Sequence, residues 1–413
     1  MKPKCVLAYS GGLDTSVAIK WIADNYDVDV IAVAVDIGEE KDYEGIRKKG
    51  KQVGALESRI ADAKEEFLND FVWHALKANV MYEDKYPAFT ALGRPLIAKK
   101  QIEVAQEVGA EYLSHGATGK GNDQVRFELT YAALMPRHRV IAPARDWNMT
   151  RDEEIEYAHQ HGIPVPVEKG TAYSVDTNLW GRSIECGPIE DATREVPEEA
   201  YLWTTAPEKA PDEPTYVDIE FENGIPVALD GERLGGIELI ERLNKLGGAN
   251  GVGRVNMIEN RLVGIKSREC YEVPAATILI AAHRDLESLT IDRETGHFKR
   301  GVEQTYSQLV YNGQWYTPLR EALDAFINET QRTVWGKVTM KLYKGSCVAV
   351  GRSGPMSLYD LKLATYEEGD QFDQTAAKGF IDIYALPAKV AAEVRRKAVM
   401  PRLEAKGKAR KQP

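Results

Sequence analysis

Two apolar runs decide the fold class. KCVLAY (4–9) and VDVIAVAVDIG (28–38) flank a helical stretch, SVAIKWIADNY, and the second run is apolar without alternation. A strand of that kind must be covered on both faces, as in a parallel sheet between layers of helices. The pattern continues. DYEGIRKKGKQVGA reads as a helix, SRIAD as a weak strand, and EEFLNDFVWHALKANV as an amphipathic helix with Phe67, Phe71, His74 and Ala75 on one side. A further helix carries Ala98, Ile102 and Ala105 on one face, and Pro95 fits its first turn. EYLSH (111–115) and RVIAPA (139–144) read as further strands. Such alternation predicts a parallel sheet with right-handed crossovers over residues 1–165.

From about residue 170 the grammar changes. TYVDIEFENGIPVAL (215–229) is two alternating runs around Asn223-Gly224, a dipeptide that supplies the positive φ angles of a two-residue hairpin turn. GKVTMKLYKGSCVAVG (336–351) predicts a second hairpin around Lys344-Gly345. GIELIERLNKLGG predicts a helix that stops at Gly247, and the Pro-rich stretch 204–214 predicts a surface loop. The expected organisation is therefore a parallel-sheet α/β domain (1–165), an α+β domain (166–385) and a C-terminal helix with a basic tail (386–413).

The 413 residues carry a net charge of −10, unevenly spread. Residues 389–413 hold nine Lys/Arg against Glu393 and Glu404, and the rest of the chain is strongly acidic. An acidic body argues against nucleic acid as the main partner, because phosphate neutralisation dominates that kind of binding. Val390, Val394 and Ala398 form an apolar stripe before Pro401, which we read as a helix that docks on a neighbouring subunit. No apolar run approaches the ~20 residues of a membrane helix, and the opening residues show no secretory leader. Cys5, Cys186, Cys270 and Cys347 are far apart and form no ligand spacing, so reduced thiols in a cytoplasmic protein are expected. His159 and His161 lack the i, i+4 spacing of a helical metal pair and read as a solvated face.

The chemistry concentrates in two glycine-rich loops. AYSGGLDTS (8–16) follows the first strand and opens a helix. Gly11 and Gly12 allow a sharp turn and close approach of a ligand. The helix N-terminus offers free N–H groups and a partial positive charge, and Ser10, Thr15 and Ser16 add hydroxyls. Together these make an anion site, most naturally for phosphates. The spacing is neither GxxxxGK[ST] nor GxGxxG. The second loop, HGATGKGNDQVRF (115–127), follows the strand EYLS. There Thr118, Asn122 and Asp123 suit an amino-acid head group, with Asp123 for an ammonium and Arg126 for a carboxylate.

SGGLDTS resembles the pyrophosphate loop of the N-type ATP pyrophosphatases, whose fold is adenine nucleotide alpha hydrolase-like. With GATGKGNDQVRFE the likeness narrows to the argininosuccinate synthases. It extends through YEDKY (82–86), RPLIA (94–98), IAPARDW (141–147), HGIPVPV (161–167), YSVDTNLWGRSIECG (173–187), GVGRVNMIENRLVGIKSRECYEVPA (251–275), QLVYNGQW (308–315) and GRSGPMSLY (351–359), nearly the full chain to about residue 385. The resemblance implies an ATP- and magnesium-dependent ligation of citrulline to aspartate through a citrullyl-adenylate, giving argininosuccinate, AMP and pyrophosphate, by a homotetrameric enzyme of arginine biosynthesis.

It also implies site residues. Ala8, Tyr9, Ser10, Gly11, Gly12, Leu13, Asp14, Thr15, Ser16, Val35 and Gly116 would bind ATP. Thr118, Asn122 and Asp123 would bind aspartate. Tyr86, Asn122, Arg126, Ser174, Ser183, Glu259 and Tyr271 would bind citrulline. On the residues alone, Ser174 and Ser183 are equally compatible with turn caps, Glu259 with a partner of Arg261 or Arg268, and Tyr271 with packing. Val35 stands where relatives carry a small alanine, a change a backbone contact would survive. Ala91, in PAFTALG (87–93), stands where a citrulline-contacting serine is often found, with Thr90 beside it. Arg94 stays in register to hold a substrate carboxylate. Asp14 and Asp123 are the candidates for a general base, and no metal ligand is assigned. Two rivals share parts of the pattern. A tRNA-thiolating or other adenylating relative would call for a reactive cysteine and a basic RNA surface. A non-catalytic nucleotide sensor would have lost polar residues from one loop.

Overall fold

The computed structural model describes residues 2–147, 149–164 and 173–409. Five strands, β1 (Lys4–Ala8), β2 (Asp29–Asp36), β3 (Glu57–Asp62), β4 (Tyr112–Ser114) and β5 (Arg139–Ile141), form a parallel sheet in the order β3-β2-β1-β4-β5. Alternate residues of the same strand feed two cores. Cys5, Leu7, Val30 and Ala32 pack with Val17, Ile19 and Ile22 of α1 (Leu13–Tyr26), Val53 of α2 (Tyr43–Val53) and Ala158. Val6, Ile31 and Val33 face the opposite way, onto residues of two further helices including Ala98, Ile102, Phe127 and Tyr131. The continuous apolar run of β2 is thus explained by burial on both sides.

Between β3 and β4 the expected amphipathic helix is not uniform. α3 (Lys64–Phe67) passes through a π-turn (Leu68–Val72) into α4 (Trp73–Lys77), and Phe67, Leu68, Phe71 and Val72 are all buried on the widened face. α5 (Phe89–Val108) starts earlier than Pro95, which sits within its second turn. α6 (Asp123–Leu134) begins inside the second glycine-rich loop. RVIAPA yields only the three residues of β5, because Pro143 opens α7 (Pro143–Asp146). A Thr150–Glu153 capping box then starts α8 (Arg151–Gln160), with His159 and His161 exposed as expected. Part of the block 161–167 and the domain boundary expected near residue 165 lie outside the described residues.

The second half holds two antiparallel sheets. β6 (Ser174–Asn178) and β7 (Gly181–Glu185) join β11 (Arg254–Asn260) and β12 (Lys266–Glu272) in the order β11-β12-β7-β6. β8 (Thr215–Glu222), β9 (Ile225–Leu229) and β10 (Glu232–Arg233) pair with β13 (Gly336–Tyr343) and β14 (Ser346–Ser353) in the order β10-β9-β8-β13-β14. The Asn223-Gly224 turn has φ 50° and 74°, as its dipeptide predicts. α9 (Gly236–Ala249) runs past the expected stop at Gly247. Glycine is there for close packing: a Cβ on Gly248 would sit 2.1 Å from the Trp203 carbonyl oxygen. β11 (Arg254–Asn260) and β12 (Lys266–Glu272) precede the long helices α10 (Pro274–Thr290), α11 (Arg293–Tyr311) and α12 (Pro318–Thr330). β13 (Gly336–Tyr343) and β14 (Ser346–Ser353) form the second expected hairpin.

The stretch 204–214 is exposed over much of its length, as expected of a surface loop, and is anchored at its start. The buried Glu272 carboxylate accepts from the backbone N–H of Leu202, Trp203 and Thr204, and pairs with Arg182 at 2.5 Å. A buried carboxylate needs such partners, and Thr204 supplies both its amide and its hydroxyl. By compactness one unit reaches Leu358 and a second begins at Tyr359. The second unit holds α13 (Leu361–Ala364), α14 (Ala376–Tyr384) and α15 (Leu386–Ala409), whose helix continues through Pro401. The four cysteines are free thiols. Among the described residues, no helix is long and apolar enough to cross a membrane.

Candidate active site

The strand order reverses between β1 and β4, since β1 continues to β2 on one side and to β4 on the other. In open α/β sheets that switch point leaves a crevice at the carboxyl ends of the strands. Here the two glycine-rich loops flank it, one leaving β1 at Ala8 and the other leaving β4 at Ser114. A cleft of about 1390 Å³ opens there, lined by Ala8 to Thr15, Val35, Gly116, Asp123 and Ser174 among others.

The first loop is built for an anion. Gly11 has φ +78°, and a Cβ there would lie 2.8 Å from Ile46. The Gly12 amide donates to Ser10 Oγ at 3.3 Å, while no side chain caps the first turn of α1, which leaves the amides of that turn for a ligand. Ser10 Oγ lies 3.1 Å from Thr15 Oγ1. Ser16 does not line the cleft; its buried hydroxyl donates to the Gly12 carbonyl at 2.6 Å and braces the turn from behind. On the other wall, a Cβ on Gly116 would come within 2.9 Å of Thr15. Two cations that the sequence did not single out stand beside the loop. Lys49, from α2, donates to the Gly11 carbonyl at 2.8 Å, and its ammonium is lowered by burial. Arg151, from α8, pairs with Asp14.

Next to the loop lies a chain of charges. Arg94 bridges Asp123, at 2.7 Å, and Asp176 on β6. Asp123 also accepts from Arg126 at 2.9 Å. Burial raises the Asp123 carboxyl, but Arg94 and Arg126 outweigh it and hold the group below the ordinary aspartate value. Such a carboxylate is a weak base and a good electrostatic partner for a cation. Arg94, expected to take a substrate carboxylate, already engages two protein carboxylates.

Deeper, the residues expected around citrulline converge with others. Glu259 is 3% exposed and accepts from the Tyr271 hydroxyl at 2.5 Å and from the Tyr311 hydroxyl. Burial raises this carboxyl; the two phenols oppose the shift. Its partners are therefore tyrosines and not Arg261, which pairs with Glu269. Tyr86 stacks on Tyr271 at 4.4 Å, and its hydroxyl accepts from the Thr90 amide. Arg126, 3% exposed, keeps guanidinium N–H groups beyond those given to Asp123 and the Tyr311 carbonyl. Ser183 on β7 lies opposite Tyr271 in the sheet, while Ser174 lines the cleft. Asn122 is buried and sits with this group; Thr118 is exposed on its loop, outside the cleft lining. Ala91 is fully buried in apolar surroundings.

Two family models match consecutive parts of the chain. The "Arginosuccinate synthase N-terminal HUP domain" covers residues 4–164 and the "Arginosuccinate synthase C-terminal domain" covers 173–391. This chain belongs to the argininosuccinate synthase family. It is an ATP-dependent ligase of α/β fold, and the thiolating alternative is not favoured. Among curated relatives, the argininosuccinate synthase of Symbiobacterium thermophilum is 58% identical over 96% of this chain and 99% of its own length. That of Rubrobacter xylanophilus is 57% identical over 94% of both chains, and one from a Synechococcus species 57% over 95% and 98%. A solved U34-tRNA thiolase from Methanococcus maripaludis matches 40% of this chain and 60% of its own at 18% identity, with a TM-score of 0.27, too slight a likeness to bear on fold or function.

Proposed function

We propose that the switch-point cleft and the buried tyrosine–carboxylate pocket beside it carry one ligation: citrulline and aspartate are joined while ATP becomes AMP and pyrophosphate. The observation that supports this most is continuity. Arg94, Asp123 and Ser174 line the nucleotide cleft, and Asp123 is bound directly to Arg126 of the inner pocket. Residues 8–15 with Val35 and Gly116 take ATP. Asp123, with Thr118 and Asn122, takes the aspartate ammonium. Tyr86, Asn122, Arg126, Ser174, Ser183, Glu259 and Tyr271 take citrulline.

The order of events follows from leaving-group chemistry. The ureido oxygen attacks the α-phosphorus and pyrophosphate departs against the uncapped start of α1. The amine of aspartate then attacks the activated carbon, the C–O bond breaks, and AMP leaves with the electron pair while the nitrogen gives up a proton. Holding three ligands in register is itself worth ~7–11 kcal/mol of barrier. Magnesium fits as a companion of the phosphates. Among the described residues no three acidic, thiol or imidazole groups converge on a metal site, so phosphate oxygens and water would supply most of its shell, with Asp14 the carboxylate within the loop itself.

We also propose a cytoplasmic homotetramer, in which the second unit supplies contacts. Phe380, Ile381, Ile383, Tyr384, Val390 and Val394 are exposed there, a larger apolar display than a solvated tail needs. We propose a functional division into residues 1–165, 166–385 and 386–413. A product assay with purified protein, MgATP, citrulline and aspartate tests the reaction. AMP and pyrophosphate in equal amounts, only with both amino acids present, is the expected outcome; ADP, or turnover indifferent to citrulline, overturns it.

A further inference from the structure

Tyr311 is the last residue of α11 and is fully buried, yet it is assigned to none of the three ligands. Its surroundings do. The hydroxyl accepts from the Asn122 side-chain amide at 2.8 Å and donates to Glu259. Its backbone carbonyl accepts from Arg126 Nε at 3.0 Å. The Arg126 guanidinium lies 5.0 Å from the centre of its ring, and Tyr82 stacks on the ring at 3.5 Å, nearly parallel. Gly313, with φ +73°, lets this helix end sit against α6, because a Cβ there would lie 2.7 Å from Arg126 Cα.

The direction of the chain of hydrogen bonds is forced. The Leu262 amide can only donate, and it donates to Asn122 Oδ1 at 2.8 Å. Asn122 must therefore turn its NH2 to the phenol oxygen. The phenol proton is then left for Glu259, whose other oxygen accepts from Tyr271. One hydroxyl thus fixes the amide of Asn122, the carboxylate of Glu259 and, through the same residue's backbone, the guanidinium of Arg126. These three groups come from α6 and its preceding loop, and from β11.

We infer that Tyr311 is a positioning residue of the ligation, setting the spacing of Asn122, Arg126 and Glu259 around citrulline. This rests on the assignment of those residues to the citrulline site. Tyr311→Phe is the informative change, because it keeps the ring, the stack on Tyr82 and the backbone carbonyl and removes only the hydroxyl. Hydrogen bonds to charged groups are strong enough that the KM for citrulline should rise roughly ten- to a hundredfold. The KM for ATP should stay within about twofold, because Tyr311, Asn122 and Glu259 are not among the residues that line the nucleotide cleft. The acid limb of the kcat/KM profile for citrulline should move to higher pH, since Glu259 loses a donor to its charged form. Tyr82, Tyr86, Arg126, Arg261, Glu269 and Tyr271 also act on that carboxylate and are unchanged in the variant.

Unchanged citrulline KM and pH profile overturn the inference. So does an equal loss toward ATP and citrulline together with a lowered melting temperature, which would mark a purely structural tyrosine. Glu259→Gln assayed alongside separates the two levels. If it too leaves citrulline KM unchanged, the site assignment has failed; if it raises KM while Tyr311→Phe does not, only the role of Tyr311 has.

Discussion

The nucleotide loop and the tyrosine–carboxylate pocket adjoin each other and are built in opposite ways. The loop works through backbone: glycines, an uncapped helix start and hydroxyls within nine consecutive residues. The pocket works through buried side chains brought from α6, β11, β12 and α11 and tied to one another by hydrogen bonds. The difference teaches where each is vulnerable. A backbone site is damaged by added atoms and is forgiving of lost side chains. A buried polar network is damaged by lost partners, because each desolvated group depends on the others.

The largest effect should come from breaking the network at its centre. Arg126→Ala leaves Asp123 with one partner and a buried gap beside Tyr311. Truncating one charged partner of a buried, hydrogen-bonded ligand contact costs about 2–5 kcal/mol of binding, so kcat/KM for citrulline should fall by roughly two to three orders of magnitude, while equilibrium binding of ATP changes little. Comparable losses in both would erase the contrast. Gly11→Ala attacks the loop from the other direction: the added Cβ meets Ile46 at a left-handed backbone angle. A side chain forced into such a position costs on the order of 1–3 kcal/mol, giving roughly a tenfold or greater rise in ATP KM and no specific change in citrulline affinity.

Lys49→Ala should be milder. It removes a cation that holds the loop carbonyl, and ATP KM should rise a few-fold, most clearly at low ionic strength where the charge is least screened. A titration of ATP affinity against salt in both proteins measures this. The smallest effect is a pH dependence of stability behind the loop. Burial, and then the neighbouring Asp14, push Glu154 up to about 7. A carboxyl raised on folding binds its proton more tightly in the native state, so its contribution to stability falls as pH rises from about 4.5 to about 7 and is level above that. Glu154→Gln mimics the protonated form. It should melt close to the parent near pH 4.5 and about 1–2 °C above it at pH 8, and melting curves at the two pH values decide the matter.

The contrast also explains what was legible in the sequence. The parallel sheet could be read from the apolar run 28–38, because burial on both faces leaves a mark in every residue. Strand order could not, since hydrophobicity says that a strand is covered and not which strand lies beside it. The loop 8–16 was legible because its parts are contiguous. Lys49 was not: it sits in a helix that looks like a solvated face, and only the pairing of β1 with β2 brings it to Gly11. Tyr311 lay within QLVYNGQW, a stretch quoted as part of the resemblance, but a tyrosine near a helix end gives no local sign of partners in three other segments. Gly247 was misread for a related reason. Helix-stopping and close packing both call for glycine, and only the contacts of α9 with Trp203 and Pro274 distinguish them.

The central claim is that loop and pocket serve one chemical event, attack of citrulline's ureido oxygen on ATP. Citrulline labelled with 18O in the ureido group tests it directly when supplied with MgATP and aspartate and the nucleotide product is weighed by mass spectrometry. Attack by the ureido oxygen predicts that AMP carries one 18O atom. Unlabelled AMP, or label retained in the amino-acid product, would contradict it.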